Sequence, residues 1–319
     1  MKTMSETKRS LPIVDTHAHL YLEEFQNDVD EIVARSRRGQ LPEIPEKYAK
    51  QLEFAPYLAG MICPAIDLET AKLAIALAER YDFVFATAGY HPNRTIQISQ
   101  EDWDEIKRLL AEGANAPIDA KGRVVAVGET GLDRYWGYSP IELQIRYLTE
   151  SIQLSLEHDL PIIIHSRDTN DDLDPILRDC YASLPSERRS RIGVIHSFSG
   201  TPEQAERWLE LGFHLGFGGF VTYPSKKFSD IWEAARLAPL DRILLETDCP
   251  YLTPHPLRGK LERNEPLASA FAAQRLAELR GDPVDVIVRA ASENAIRLFN
   301  LPNLLAARES EKASQTPNE

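Results

Sequence analysis

The chain has 319 residues, 43% of them hydrophobic and 27% charged, the balance of an ordinary soluble globular protein that can bury a core without metal or disulfide staples. Its formal net charge of −13 disfavours tight, sequence-blind binding to nucleic acid, which depends on Lys and Arg neutralising phosphates, but leaves room for a substrate phosphate held through metal ions. Cys63, Cys180 and Cys249 are scattered singly with no C-x-x-C pair, which excludes a disulfide framework and a zinc ribbon.

Residues 1–10 mix Lys, Arg and Glu without the apolar stretch of a signal peptide, and are expected to be flexible. The first apolar run, 13–16, predicts a strand that leads into Asp15-Thr16-His17-Ala18-His19. A Pro-containing insertion at 38–56 follows, expected as a surface excursion, and then a strand at 60–66 and an amphipathic helix at 68–80. The run 84–88 is the third strand, with Gly89-Tyr90-His91-Pro92 after it, a helix at 102–112 and a Gly/Ala/Pro/Asp-rich loop at 112–122. Strands at 124–127, 162–164 and 193–195 run into Glu129, His165 and His196, with a helix at 142–158. Then come a helix at 202–211, a strand at 214–217, a helix at 229–238 and the eighth strand at 243–245, which leads into Asp248. Helices at 266–280 and 285–299 close the pattern, and the polar residues beyond 303 are expected to form a disordered tail.

Strand then helix, carried to eight strands, predicts an α/β protein of the (β/α)8 TIM-barrel type, one domain over 11–303. A doubly wound open sheet also alternates, but no Gly-rich phosphate loop follows the first strand here. No segment approaches membrane-spanning length, and with single cysteines the expected location is the cytoplasm, with no obligate protein partner in view.

Active sites of such barrels form at the C-terminal ends of the strands, and five of these ends carry potential metal ligands: His17 with His19, Glu129, His165, His196 and Asp248. A lone His after an apolar run is usually a hydrogen-bonded structural residue, Glu129 alone an ordinary ion-pair partner, and Asp248 alone a helix cap. Their coincidence at strand ends of one barrel is what argues for a metal cluster. Side chains alternate along a strand, so His17 and His19 can chelate one ion together. Imidazoles and carboxylates without Cys suit zinc, manganese, iron or magnesium, and a carboxylate such as Glu129 can bridge two ions. Such a site activates water, so hydrolysis is the expected reaction, with Glu129 and Asp248 as the catalytic carboxylates and Asp248 taking the proton. His91 and Arg258 are candidates for holding a phosphate or carbonyl oxygen, Asn264 and Glu265 for fixing the Arg258 loop, and Tyr135, Trp136 and Tyr223 for stacking on bases.

Together these motifs resemble the TatD family of metal-dependent hydrolases: Asp15-Thr16-His17-Ala18-His19-Leu20, Gly89-Tyr90-His91-Pro92, Val127-Gly128-Glu129-Thr130-Gly131-Leu132-Asp133, Pro161-Ile162-Ile163-Ile164-His165, His196-Ser197-Phe198-Ser199-Gly200 and Leu244-Leu245-Glu246-Thr247-Asp248-Cys249-Pro250. Pro256-Leu257-Arg258-Gly259 and Asn264-Glu265-Pro266 match as well, and the resemblance runs from about residue 13 to 299. It implies two divalent ions, or three. His17 and His19 would hold one with Glu129 and Asp248, while His165 and His196 hold the other with Glu129. It also implies hydrolysis of phosphodiester bonds in DNA, often from the 3′ end of single strands. Asn93, the run Tyr251-Leu252-Thr253-Pro254-His255 and the 38–56 insertion depart from the family pattern near the rim, where substrate is chosen. A carboxylic ester, lactone or amide, including an aminoacyl ester on tRNA, is the alternative substrate for the same chemistry.

Overall fold

The computed structural model describes residues 8–305; residues 1–7 and 306–319, which hold most of the expected flexible start and tail, lie outside the described residues. In chain order the elements are β1 (Ser10–Asp15), α1 (Val29–Arg38), α2 (Glu46–Ala49), β2 (Ala55–Cys63), α3 (Leu68–Arg80), β3 (Val84–Ala88), α4 (Gln100–Asn115) and β4 (Val124–Asp133). They continue with α5 (Ile141–His158), β5 (Ile162–Arg167), α6 (Asn170–Tyr181), α7 (Ser186–Arg189), β6 (Gly193–Ile195), α8 (Pro202–Leu211), β7 (His214–Phe217), α9 (Ser229–Leu237), β8 (Ile243–Leu245), α10 (Ser269–Arg280) and α11 (Val284–Leu298). The eight strands pair in sequence order and all in parallel, as expected of a (β/α)8 barrel. No helix among the described residues is long and apolar enough to cross a membrane.

Local chemistry explains where the bounds agree with the sequence pattern. Helix α3 opens on a capping box in which the Asp67 carboxylate accepts from Thr70 N (2.9 Å) and Thr70 Oγ1 accepts from Asp67 N (2.9 Å). Helix α8 opens on Thr201, Pro202 and Gln204 in the same way and stops at Gly212 in the left-handed region. Strands β1 and β2 begin earlier and β4 and β5 end later than expected, and three other expectations differ. Helix α4 runs on to Asn115, into the expected loop, because Gly113 packs closely against Val124 and Ala114 rests on the core. Helix α6 follows β5 where the sequence pattern indicated no element. The 38–56 insertion is more than a surface excursion, since it forms α2 and tucks Leu52 and Phe54 into the core.

Strand side chains divide by alternation. Val14, Val125, Ile163, Val194 and Leu244 form one apolar cluster with Leu298, Phe299 and Leu301, while Ile13, Val124, Ile162, Ile164, Ile195 and Leu245 belong to the larger cluster shared with the helices. Two residues further on, the first set continues as His165, His196 and Glu246, then Asp248. His165, His196 and Asp248, with Glu129 four residues beyond Val125, thus prolong the face that is apolar deeper in the barrel, whereas His17 and His19 share the parity of Ile13, beside the register shift of β1 between Ile13 and Val14.

Closure occurs between the ends of β1 and β8. Thr16 N donates to Leu245 O (3.0 Å), Asp248 N to His17 O (2.8 Å) and His19 N to Cys249 O (2.9 Å). The Asp15 carboxylate staples this seam: it accepts from His17 N (3.1 Å), Thr247 N (3.1 Å) and Thr247 Oγ1 (2.6 Å) while wholly buried. Asp15→Ala leaves those donors unsatisfied in the interior and is expected to destabilise the fold by about 3 kcal/mol, read as a lower urea midpoint. An unshifted midpoint would mean that the seam closes without Asp15.

Candidate metal centre

Glu129 lies inside β4, which continues past the expected end to Asp133, and its carboxylate is almost fully buried. Gly131 permits this course: its φ is +147°, and a Cβ there would stand 2.0 Å from His165 O on β5. The two carboxylate oxygens face different imidazoles. Oε2 is 3.2 Å from His17 Nε2 and 3.9 Å from His19 Nε2. Oε1 is 2.9 Å from His165 Nδ1, 3.7 Å from His91 Nε2 and 4.0 Å from His196 Nε2. Asp248 Oδ1 stands 3.3 Å from His19 Nε2, 3.9 Å from His17 Nε2 and 4.0 Å from His196 Nε2.

These donors fit a cation. His17 Nε2 and His19 Nε2 are 3.1 Å apart, and a tetrahedral ion with bonds of about 2.1 Å sets its ligands about 3.4 Å from one another. Their separations from Glu129 and Asp248 scatter around that value. Hydrogen bonds also aim the lone pairs inward. Tyr21 OH donates to Pro64 O (2.7 Å), so at 2.7 Å it accepts from His19 Nδ1, which leaves His19 Nε2 bare. His196 Nδ1 faces Glu246 Oε2 (3.1 Å), and His165 Nε2 faces Asp133 Oδ2 (3.1 Å). His17 lacks such support: its Nδ1 is buried without a hydrogen-bond partner. Among the described residues three donor triplets are compact enough for an ion, His17/His19/Asp248, His17/His196/Glu246 and His91/Asp133/His165.

Without an ion, charge balance sets the protonation. Burial opposes ionisation of Glu129, but His17, His91 and His165 outweigh it and hold its carboxyl well below the usual range. Burial pushes His17 down to about 4, with help from His196, whose ring stacks on it at 3.4 Å between centroids. His196 is itself buried, yet Glu246, Glu129 and Asp248 lift it to about 10. Burial, then His165, takes His91 down to about 3; its Nδ1 accepts from Asn93 N (3.2 Å), so the neutral ring presents Nε2–H.

The cluster floors a cavity of about 680 Å³ whose lining includes His19, His91, Glu129, His165, His196 and Asp248. Of the expected ligands, only His17 lies beneath the lining. Arg258 does not line the cavity; its exposed guanidinium lies 4.9 Å over the Tyr223 ring, and Tyr223 packs against Phe220 and Phe228. Asn264 Nδ2 ties that loop to Thr247 O (3.0 Å) and Tyr251 O (2.8 Å), and Glu265 pairs with Arg35 of α1. The cations that do line the cavity are Arg94 and Arg167. Sequence reasoning also missed Asp133 and Glu246, although strand alternation places each on the face of an expected ligand, Glu129 and Asp248. Gly216 makes room for Glu246, since a Cβ there would stand 2.2 Å from its Oε2.

A family model described as TatD related DNase matches residues 14–300. The chain belongs to that TatD family. It is a metal-dependent hydrolase, as the names of its relatives state: the uncharacterized metal-dependent hydrolase YabD of Bacillus subtilis is 36% identical over 91% of this chain and 99% of its own length. The 3′-5′ ssDNA/RNA exonuclease TatD of Erwinia billingiae is 30% identical over 90% of this chain and 99% of its own. Among solved structures, the TatD homologue YjjV of Escherichia coli superposes with a TM-score of 0.75 at 32% identity, covering 91% of this chain and 98% of that one.

Two measurements test this TatD site. Glu246→Gln is expected to weaken manganese or zinc binding about 10- to 100-fold in calorimetry while the fold persists; unaltered affinity would sever Glu246 from the cluster. In chelated protein, His17 stays neutral in the fold down to about pH 4 but gains a proton in the unfolded chain below about 6.5, so stability falls between those values. His196 keeps its proton in the fold up to about pH 10, so its stabilisation, complete below about 6.5, is lost between 6.5 and 10. Urea midpoints are therefore expected to decline on both sides of pH 6.5, and a flat profile from pH 4 to 10 would contradict these protonation states.

Proposed function

We propose that this chain is a cytoplasmic, divalent-metal-dependent phosphodiesterase that removes nucleotides from the 3′ end of single-stranded DNA. The observation that carries the reading is the division of the histidines between the two oxygens of Glu129, the arrangement a carboxylate needs to bridge two cations on one phosphate. His17, His19 and Asp248 would hold one ion, His165 and His196 the other, with Glu129 shared. Divalent ions there would supply Lewis acidity, lowering the pKa of an attacking water and polarising the phosphate.

The chain's own groups complete the site. Burial opposes ionisation of Asp248, but His19, His196 and His17 keep it below the usual carboxylate range, so Asp248 is ready to receive the water's proton. The neutral His91 offers Nε2–H to a phosphate oxygen. Arg94 and Arg167, on the cavity wall, are better placed for phosphate than Arg258. The exonuclease name of the Erwinia relative supports nucleic acid as the polymer, and the unpaired cysteines, two of them buried, support a reducing compartment.

Protein stripped by chelation and resupplied with magnesium, manganese or zinc is expected to release nucleotides from 3′-labelled single-stranded DNA, and Glu129→Ala to cut that release at least about 10³-fold. No release with any ion, from protein shown to bind metal, would reject the phosphodiester reading. Turnover of a carboxylic ester, lactone or amide by the same protein would replace it.

A further inference from the structure

Tyr135, Trp136 and Tyr138 lie within four residues of one another in the loop between β4 and α5, and each is about half exposed. A cluster of exposed aromatic rings is costly in water and marks a binding surface more often than a packing defect. The rings are ordered against one another. Trp136 stacks on Tyr138 with centroids 5.7 Å apart and planes 10° from parallel, and Tyr135 meets Trp136 edge-on at 4.9 Å. The Arg167 guanidinium from β5 lies 3.8 Å over Tyr135 and 5.7 Å from the Trp136 ring centre. Trp136 and Arg167 both line the cavity that contains Glu129.

The loop is held by its own hydrogen bonds. Asp133 Oδ1 accepts from Tyr135 N (2.8 Å) and Trp136 N (3.0 Å). Gln144 of α5 accepts from Asp133 N (2.8 Å) and donates Nε2 to Ser139 O (2.8 Å), and Arg134 pairs with Asp172 (2.7 Å). The other oxygen of Asp133 faces His165 Nε2. One carboxylate therefore sets the aromatic loop in register with the candidate ligands.

We propose that Tyr135, Trp136 and Tyr138 form a stacking platform for the unpaired base beside the scissile phosphate, with Arg167 on the adjoining phosphate. The inference rests on the nuclease reading and assigns residues to its single-strand preference: an unpaired end offers a free π face to the platform, whereas a paired end does not. Every base has such a face, so the preference is for an unpaired base and not for a particular one. Cation and aromatic ring side by side also supply a local attraction for a polyanion on an acidic chain.

Anisotropy of a 5′-labelled oligothymidylate in chelator, where nothing is cleaved, reads the platform without the ions. Wild-type protein is expected to bind it about tenfold or more tightly than the same strand carrying abasic 3′-terminal nucleotides, with quenching of tryptophan fluorescence. Trp136→Ala combined with Tyr138→Ala is expected to abolish that difference, while Trp136→Phe, which keeps a π face, retains most of it. With metal restored and DNA cleaved, the double variant raises KM for the intact strand about tenfold and lowers kcat far less. Equal binding of intact and abasic strands by wild-type protein, or undiminished discrimination in the double variant, overturns the platform and leaves the nuclease reading to the release assay. Base-dependent binding without nucleotide release under any ion rejects the nuclease reading alone and retains the platform as a nucleobase site.

Discussion

A carboxylate that stays ionised in a protein interior must be surrounded by partners, because its unpaired charge would cost many kcal/mol. Glu129 is that carboxylate here, and five imidazoles stand within 4.0 Å of it. They come from the ends of β1, β5 and β6 and from the loop after β3, so the charge is satisfied only when a closed barrel brings them together. Fold and site thus depend on one arrangement. The Asp15 staple between β1 and β8 serves both, since it closes the barrel at the point where His17 and His19 meet Asp248.

Around this centre lies a second ring of groups that touch the imidazoles from outside. Glu246, Asp133 and the Tyr21 hydroxyl each occupy the outer nitrogen of one histidine, which decides which nitrogen faces inward. The stacked pair His17 and His196 shows what the arrangement does electrostatically. One ring is held neutral and the other protonated at neutral pH, because His196 has Glu246 against it while His17 shares Glu129 with four other imidazoles. A proton on His196 occupies a position that an incoming cation must clear, which couples metal uptake to pH.

The cavity above the centre is unequal in chemistry. Its floor is carboxylate and imidazole, while its wall carries Arg94, Arg167 and Trp136. For the proposed phosphodiester substrate, Arg94 and Arg167 supply positive groups on the wall of a cavity whose floor also carries the acidic Glu129, Asp133 and Asp248.

The sequence by itself determined the eight-strand order and the six candidate ligands, because alternation along a strand and the repeat of strand and helix are local properties. Strands β3, β6, β7 and β8 and helices α3 and α8 have the bounds their patterns predict, the two helices through their caps. Helix α6 was not legible: its moderately apolar face, Leu173, Leu177 and Tyr181, is spaced among acidic residues and contains Pro175. Partnership across the barrel was decided only by tertiary structure. Asp133 and Glu246 are ordinary acids until β5 and β6 bring His165 and His196 against them, and Arg258 is a plausible phosphate ligand until its loop turns it onto Tyr223. Pairings between residues tens to hundreds of positions apart depend on how strands register and where the barrel closes, which no local pattern encodes.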